Sequence, residues 1–230
     1  AINLAKETIN WGQLCEKSAK NEESKHPYCT LIQSDNKFIF LYGDSHTSKL
    51  LPAAKSLFKQ TNYGLLASST RGCPPILGIS RLEGSSDSCY EHNNAVYQYL
   101  IETPEIEYII LSARWTESIE GTGFDNKDGG VEPGKKSRFV IKQKDEFVIY
   151  EPTLNRELLS KAYSDSIHSL LAAGKKVVLI YPVPEAGWDV PNYIVKYSFN
   201  YPERAFDERV ASTSYDVFKI RNQSTYKVLD

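Results

Sequence analysis

One serine in this chain has the setting of a nucleophile. It lies in the stretch Phe38-Ile39-Phe40-Leu41-Tyr42-Gly43-Asp44-Ser45-His46-Thr47. Lys37 to Tyr42 is an apolar run of strand length. Ser48 to Gln60 carries Leu50, Leu51, Ala54, Leu57 and Phe58 at the spacing of an amphipathic helix. Gly43 permits a sharp turn between the two, and Asp44 and Ser45 suit a helix start. Ser45 therefore stands where a strand ends and a helix begins, and the helix N-terminus favours negative charge developing beside it. The chemistry this suits is acyl transfer through a serine ester, which needs a base, a group to orient the base, and oxyanion donors. The N–H of Ser45 is one donor. Gly72, in Ser69-Thr70-Arg71-Gly72-Cys73-Pro74-Pro75, is a second, because its bare backbone can approach an oxyanion closely. A plain turn and cap is the alternative reading of Gly-Asp-Ser; the strand before it and the helix after it favour the nucleophile.

The elements that must position these residues follow in order. Tyr63 to Ser69 reads as a second strand. A helix begins at Ser86 to Asp87, with Tyr90, Val96, Tyr97, Leu100 and Ile101 on one stripe. Glu107 to Ala113 reads as a third strand leading into Arg114-Trp115. Residues 118–137 form a Gly-rich loop, and Arg138 to Tyr150 has the alternation of a β-hairpin. Thr153 to Ala173 is a helix closed by Gly174, and Lys175 to Tyr181 is a fourth strand ending in Pro182-Val183-Pro184-Glu185. Residues 186–202 read as irregular and aromatic, and Phe206 to Asp230 as helical. This order predicts a parallel α/β sheet with right-handed crossovers, whose ligands bind outside the carboxyl ends of the strands. The loops 43–46, 68–75, 113–118 and 181–187 meet there, so Ser45, Gly72, Arg114, Trp115 and Glu185 are expected to be neighbours.

Composition narrows the function classes. With 27 Lys and Arg against 29 Asp and Glu, there is no electrostatic case for nucleic acid or an anionic membrane surface. The Lys135-Lys136-Ser137-Arg138 cluster is read as a solvated loop. No apolar run approaches the ~20 residues of a membrane span, and no secretory signal is present. The chain starts at Ala1 and contains no methionine, so it is read as a piece of a longer polypeptide. Cys15, Cys29, Cys73 and Cys89 include no Cys-x-x-Cys, which argues against structural zinc and thioredoxin-type redox centres. Three pairings are open, with four reduced cysteines as a further alternative. The local pairing, Cys15–Cys29 with Cys73–Cys89, is the one expected, each loop of about fifteen residues contributing ~3 kcal/mol in the chain-entropy view. Bridges of this kind imply an oxidising compartment. No metal or organic cofactor is indicated.

Phe40-Leu41-Tyr42-Gly43-Asp44-Ser45-His46 resembles the first block of the SGNH/GDSL hydrolase family. With Thr47-Ser48-Lys49-Leu50 after it, it looks most like the SGNH domains found behind membrane-embedded acyltransferase family 3 domains. The resemblance implies a three-layer α/β sandwich with a central, mainly parallel sheet (SGNH hydrolase-like, flavodoxin-like). Residues 1–34 would be an N-terminal extension linking to the membrane part, 35–230 the SGNH-like domain without its C-terminal part, and the hairpin an insertion. Gly72 resembles the oxyanion glycine of the second block. The third block departs from the family's Gly-x-Asn-Asp: it reads Ser112-Ala113-Arg114-Trp115, so Arg114 replaces the Asn as oxyanion donor and Trp115 is set to pack on a sugar. Asp44 and His46, flanking Ser45, are taken as substrate-binding. The family's late Asp-x-x-His has one match in spacing, Asp165-Ser166-Ile167-His168. It is rejected, because it lies mid-helix on the face away from the Leu158, Ala162, Tyr163 and Leu170 stripe. His46 is a poor base for its neighbour, and His26 and His92 read as surface residues. The catalytic Asp and His are therefore expected outside this chain.

The resemblance implies a periplasmic domain of an inner-membrane protein. There Ser45 takes an acetyl group, delivered by the fused membrane acyltransferase domain, and passes it to a hydroxyl of a surface polysaccharide such as lipopolysaccharide O-antigen. Two rival readings are a carbohydrate acetylesterase, using water as acceptor, and a non-catalytic glycan-binding module. Trp188, Tyr193, Tyr197, Phe199 and Tyr201 would supply sugar stacking in the latter.

Overall fold

The computed structural model describes residues 27–82, 86–132, 139–143, 146–148, 152–200 and 212–230. Its centre is a five-stranded sheet in the order β1 (Cys29–Ile32), β3 (Gly64–Ser69), β2 (Phe38–Gly43), β5 (Ile106–Ser112), β8 (Lys176–Ile180). β2, β3, β5 and β8 are parallel, and β1 runs antiparallel on the β3 edge. Gly43 pairs with both Ser69 and Ser112, and Ser112 pairs with Ile180. The four parallel strands thus end level, and the loops that follow them leave from one edge.

Side-chain alternation along β2 builds a core on each face. Ile39 and Leu41 pack with Leu51, Leu65 and Ala67 beneath α1 (Ser45–Phe58). Phe40 and Tyr42 pack with Val96, Tyr97 and Leu100 of α2 (Ser86–Glu102) and with Tyr163 and Leu170 of α4 (Pro152–Ala172). Three further helices complete the described chain: α3 (Trp115–Glu120), α5 (Val190–Asn200) and α6 (Tyr215–Leu229). Helices on both faces make the three-layer α/β architecture expected from the sequence. Among the described residues, no helix is long and apolar enough to cross a membrane, and no cluster of metal-ligating side chains occurs.

Three local expectations need correcting. The stretch read as an irregular extension ends in β1, which pairs with β3 as an edge strand; four residues are too few to show a strand period. The hairpin forms as β6 (Phe139–Gln143) and β7 (Glu146–Val148), but it is not a bare decoration. β4 (Ile79–Arg81) pairs with β6, and Ile79 and Phe139 enter the main core. Residues 190–200, read as irregular, form α5. Its start was legible: Asp189 caps it, with its carboxylate on the Asn192 side chain and its carbonyl accepting from Tyr193 N–H, and Pro191 sits in the first turn, where proline is tolerated. Lys135 to Arg138, the hairpin turn at 144–145, Tyr201 and the Tyr197 side chain lie outside the described residues, as does Cys15.

Glu107 fixes the opposite edge of the sheet. At the start of β5 it accepts from Lys37 Nζ (2.6 Å) ahead of β2, from Tyr63 OH (3.0 Å) ahead of β3, and from Lys176 Nζ (2.6 Å) opening β8. These bonds, from Lys176 first, then Lys37 and Tyr63, hold its carboxyl at about 2 against an ordinary 4.5. A carboxyl depressed on folding contributes stability above its unfolded pKa and loses it as pH falls through the folded one. The wild type should therefore lose denaturant resistance between about pH 4.5 and about pH 2, and Glu107→Gln should flatten that part of the profile. Urea midpoints measured across this window check it.

Candidate active site

The site begins with the close approach of two strands. Gly43 lies at φ +156°, and a Cβ there would sit 1.7 Å from the Ser112 carbonyl oxygen, so only glycine lets β2 finish this near β5. Thr47 Oγ1 donates to the same carbonyl at 2.6 Å and locks the first turn of α1 to β5. Asp44 follows at the N-cap. Its Oδ1 accepts from His46 N–H and its Oδ2 from Arg114 N–H, both at 2.8 Å. Its carbonyl accepts from Ser69 Oγ at 2.7 Å. Asp44 is 4% exposed. Burial pushes its pKa above the ordinary value, against the opposing pull of the amides of Arg114 and His46. The expectation that Asp44 binds substrate is corrected: its carboxylate faces backbone amides and ties together the ends of β2 and β5. Ser45 is then the first residue of α1, partly exposed, and among the described residues no side chain hydrogen-bonds its hydroxyl.

The loop carrying Gly72 is held in place by one face of α2. Cys89 is disulfide-bonded to Cys73. His92 Nε2 meets Thr70 Oγ1 at 3.0 Å and Ser68 Oγ at 3.2 Å, and burial lowers its pKa. Asn93 Nδ2 donates to the carbonyls of Pro74 and Ile76, and its Oδ1 accepts from Tyr42 OH. Tyr97 OH donates to the Pro75 carbonyl. These positions, 89, 92, 93 and 97, lie on one helical face. Cys73 N–H closes a turn onto Thr70 O with Gly72 third at φ +69°, the geometry a type II turn requires. Thr70 N–H donates to the Gly43 carbonyl, so this turn lies beside the one that carries Ser45. Cys29 is disulfide-bonded as well.

The third strand end differs most from expectation. Trp115 is 1% exposed; its ring packs on Tyr163 at 5.1 Å and its Nε1–H donates to the Ile180 carbonyl at 2.8 Å. It belongs to the core and cannot stack on a sugar. The Arg114 guanidinium is also committed. Nε and Nη2 donate to Glu185 Oε1 at 3.1 and 2.6 Å, and Nη2 also reaches Glu132 Oε2 at 2.5 Å. Glu117 lies 3.4 Å from Nη1. A cation ringed by three carboxylates is a poor site for a fourth negative charge, so Arg114 is corrected from oxyanion donor to a strut between β5 and the loop after β8. Glu185 passes the strut on: its Oε2 accepts from Arg221 Nε on α6 at 2.8 Å, and Arg221 reaches Thr122. The structure brings together Asp44, Ser45, His46, Arg114 and Glu185, with Gly72 in the adjoining turn. His168 lies exposed on α4, bonded back to Ser164, as its helical position implies. Sequence reasoning missed Asn93, Tyr97, Glu132 and Arg221, whose partners are far off in sequence.

With this geometry, the comparisons with known proteins agree on one class. The family model for SGNH domains fused to AT3 domains matches residues 14–230, and the chain belongs to that family. The match starts inside the segment read as an extension. Among solved structures, the periplasmic domain of a lipopolysaccharide acetyltransferase from Salmonella ser. Paratyphi A is similar, with a TM-score of 0.54 and 15% identity over 86% of this chain and 65% of that one. At that identity the likeness is one of fold, and this chain spans just under two thirds of that neighbour's length. A search of curated proteins finds no match.

Two substitutions test the construction of the site. Asp44→Asn replaces one acceptor oxygen with an NH2 that faces a backbone N–H, and should cost about 2 kcal/mol in chemical unfolding. Glu185→Gln should cost about 3 kcal/mol, because it leaves the Arg114 and Arg221 guanidinium groups, 24% and 11% exposed, against a neutral amide. Urea unfolding followed by tryptophan fluorescence measures both.

Proposed function

We propose that this chain is the acyl-transfer domain of a membrane-anchored acetyltransferase and that Ser45 is its nucleophile. The observation that carries the reading is the placement of Ser45: partly exposed, first in α1, on the level edge of the parallel strands, with its turn clamped by Asp44. The Ser45 Oγ attacks the carbonyl of an acetyl group brought by the fused membrane domain. Its proton goes to the base, and the donor leaves with the electron pair of the broken bond. The oxyanion of the tetrahedral intermediate lies at the α1 N-terminus, where the N–H groups of Ser45 and Gly72 receive it. A sugar hydroxyl then attacks the acetyl-serine, giving up its proton, and Oγ leaves and is reprotonated. The acceptor is a bacterial surface polysaccharide, with lipopolysaccharide O-antigen the first choice, which places the domain in the periplasm.

The base is an Asp-His pair from outside the described residues. His92 is engaged by Ser68 and Thr70, and His46 follows directly on Ser45. Among the described residues β8 is the last strand of the sheet, with Val178 46% exposed, an edge along which a further strand can bring such a pair to the carboxyl end.

The test uses the full-length protein in its own membrane. Acetyl content of the surface polysaccharide, read by proton NMR, should fall at least about 10³-fold with Ser45→Ala. Undiminished acetylation in that variant would refute the serine mechanism.

A further inference from the structure

His46, the residue after the serine, opens onto a cavity of about 320 Å³, lined also by Arg114, Glu132, Val183, Glu185 and Trp188 among others. That is within the size range of small-ligand sites. Its wall is rigid. Trp188 stacks on Tyr193 with ring centroids 5.1 Å apart, and Gly130 lies so near the indole that a Cβ there would come within 2.6 Å of it. Asn126 ties this wall together, donating to the Ala186 carbonyl and accepting from Gly130 N–H.

The polar lining has bonding capacity to spare. The Arg114 Nε and Nη2 hydrogens are used by Glu185 and Glu132; Nη1 is ion-paired with Glu117 at 3.4 Å but makes no hydrogen bond among the described residues. Glu132 spends Oε2 on Arg114 and on Phe124 N–H, and among the described residues its Oε1 makes no hydrogen bond. Burial raises the Glu132 pKa, but the Arg114 hydrogen bond and charge outweigh it and bring it below its ordinary value, so the free oxygen is an acceptor at neutral pH. Arg114 and Glu132, bonded to each other, both line the cavity, so its wall carries a donor and an acceptor. A hydroxyl group accepts from the one and donates to the other, and two neighbouring hydroxyls on a ring serve both at once.

The charge balance selects further. Among the described residues, the ion pairs around Arg114 and Arg221 are made by Glu117, Glu132 and Glu185, an excess of one negative charge, which opposes a carboxylate or phosphate. An ammonium would meet the Arg114 guanidinium. We infer that this cavity is the acceptor subsite and that it takes a neutral pyranose, holding a pair of adjacent ring hydroxyls between Arg114 Nη1 and Glu132 Oε1 and presenting a further hydroxyl towards Ser45 past His46. The inference rests on the acyl-transfer reading for its purpose, not for its binding chemistry.

The test is amide NMR titration of the protein with methyl α-D-mannopyranoside, methyl α-L-rhamnopyranoside and methyl β-D-galactopyranoside, and with methyl β-D-glucuronide as the anionic control. At least one neutral glycoside should shift the amides of Arg114, Glu132, Ala186 and Gly187, and the glucuronide should bind at least tenfold more weakly. Glu132→Gln should weaken the neutral glycoside at least tenfold. Val183→Phe, which fills the cavity and leaves the ion pairs alone, should abolish the shifts. Absence of shifts at these amides with all three neutral glycosides, equal binding of the glucuronide, or shifts that survive Val183→Phe would overturn the subsite. Ser45→Ala should still bind the neutral glycoside, because Arg114 and Glu132 hold it. Glycoside binding here with undiminished acetylation in that variant would overturn the serine mechanism and leave the subsite standing.

Discussion

Two backbone amides distant in sequence, those of His46 and Arg114, meet on the carboxylate of Asp44. One opens α1 and the other follows β5. Neither amide has a partner within its own helix or strand, so the buried carboxylate satisfies both while fixing the distance between two strand ends. The placement of Ser45 depends on that bridge, because Ser45 is the residue between Asp44 and the capped amide of His46. The Asp44 carbonyl and the Gly43 carbonyl extend the bridge to Ser69 and Thr70, and so to the turn that carries Gly72. Ser45 and Gly72 are thereby referred to one point.

The remainder of the fold supports that point from a distance. The level ends of four parallel strands give the loops a common edge, and Glu107 anchors the other edge through groups ahead of, or at the start of, β2, β3 and β8. α2 presents Cys89, His92, Asn93 and Tyr97 to the second loop, a polar and covalent seam inside an otherwise apolar layer. The Arg114, Glu185 and Arg221 chain fastens the loop after β8 and, with it, α6. Apart from the exposed Lys37 and Lys176, these groups are buried or half-buried and paired, so rearranging one would strand a charge or a donor. This is how a loop-built site keeps its geometry.

The parts legible in the sequence are those with local causes. The β2 strand, the Gly43-Asp44-Ser45 turn and α1 are contiguous, and their periods and caps point the same way, so the position of Ser45 reads directly. The four parallel strands and α4 are long and strongly patterned, and they too read correctly. β1, β4 and α3 are too short to display a period and exist because of what they pair with. Arg114 and Trp115 show the limit most plainly. Their position after a strand suggests substrate contact, but partners at Glu132, Glu185, Tyr163 and Ile180 turn one into a strut and the other into core. The cavity lining has the same origin, since Glu132, Val183 and Trp188 come from loops whose meeting no local pattern encodes.

The measurement that tests the account most directly is peptide mass spectrometry of the full-length protein, quenched during turnover with its acyl donor. The account predicts a peptide spanning Gly43-Asp44-Ser45-His46 that carries one acetyl group on Ser45, absent without donor and lost on chase with acceptor polysaccharide. An acetyl group trapped on another residue that chases into product, with Ser45 unmodified throughout, would contradict it.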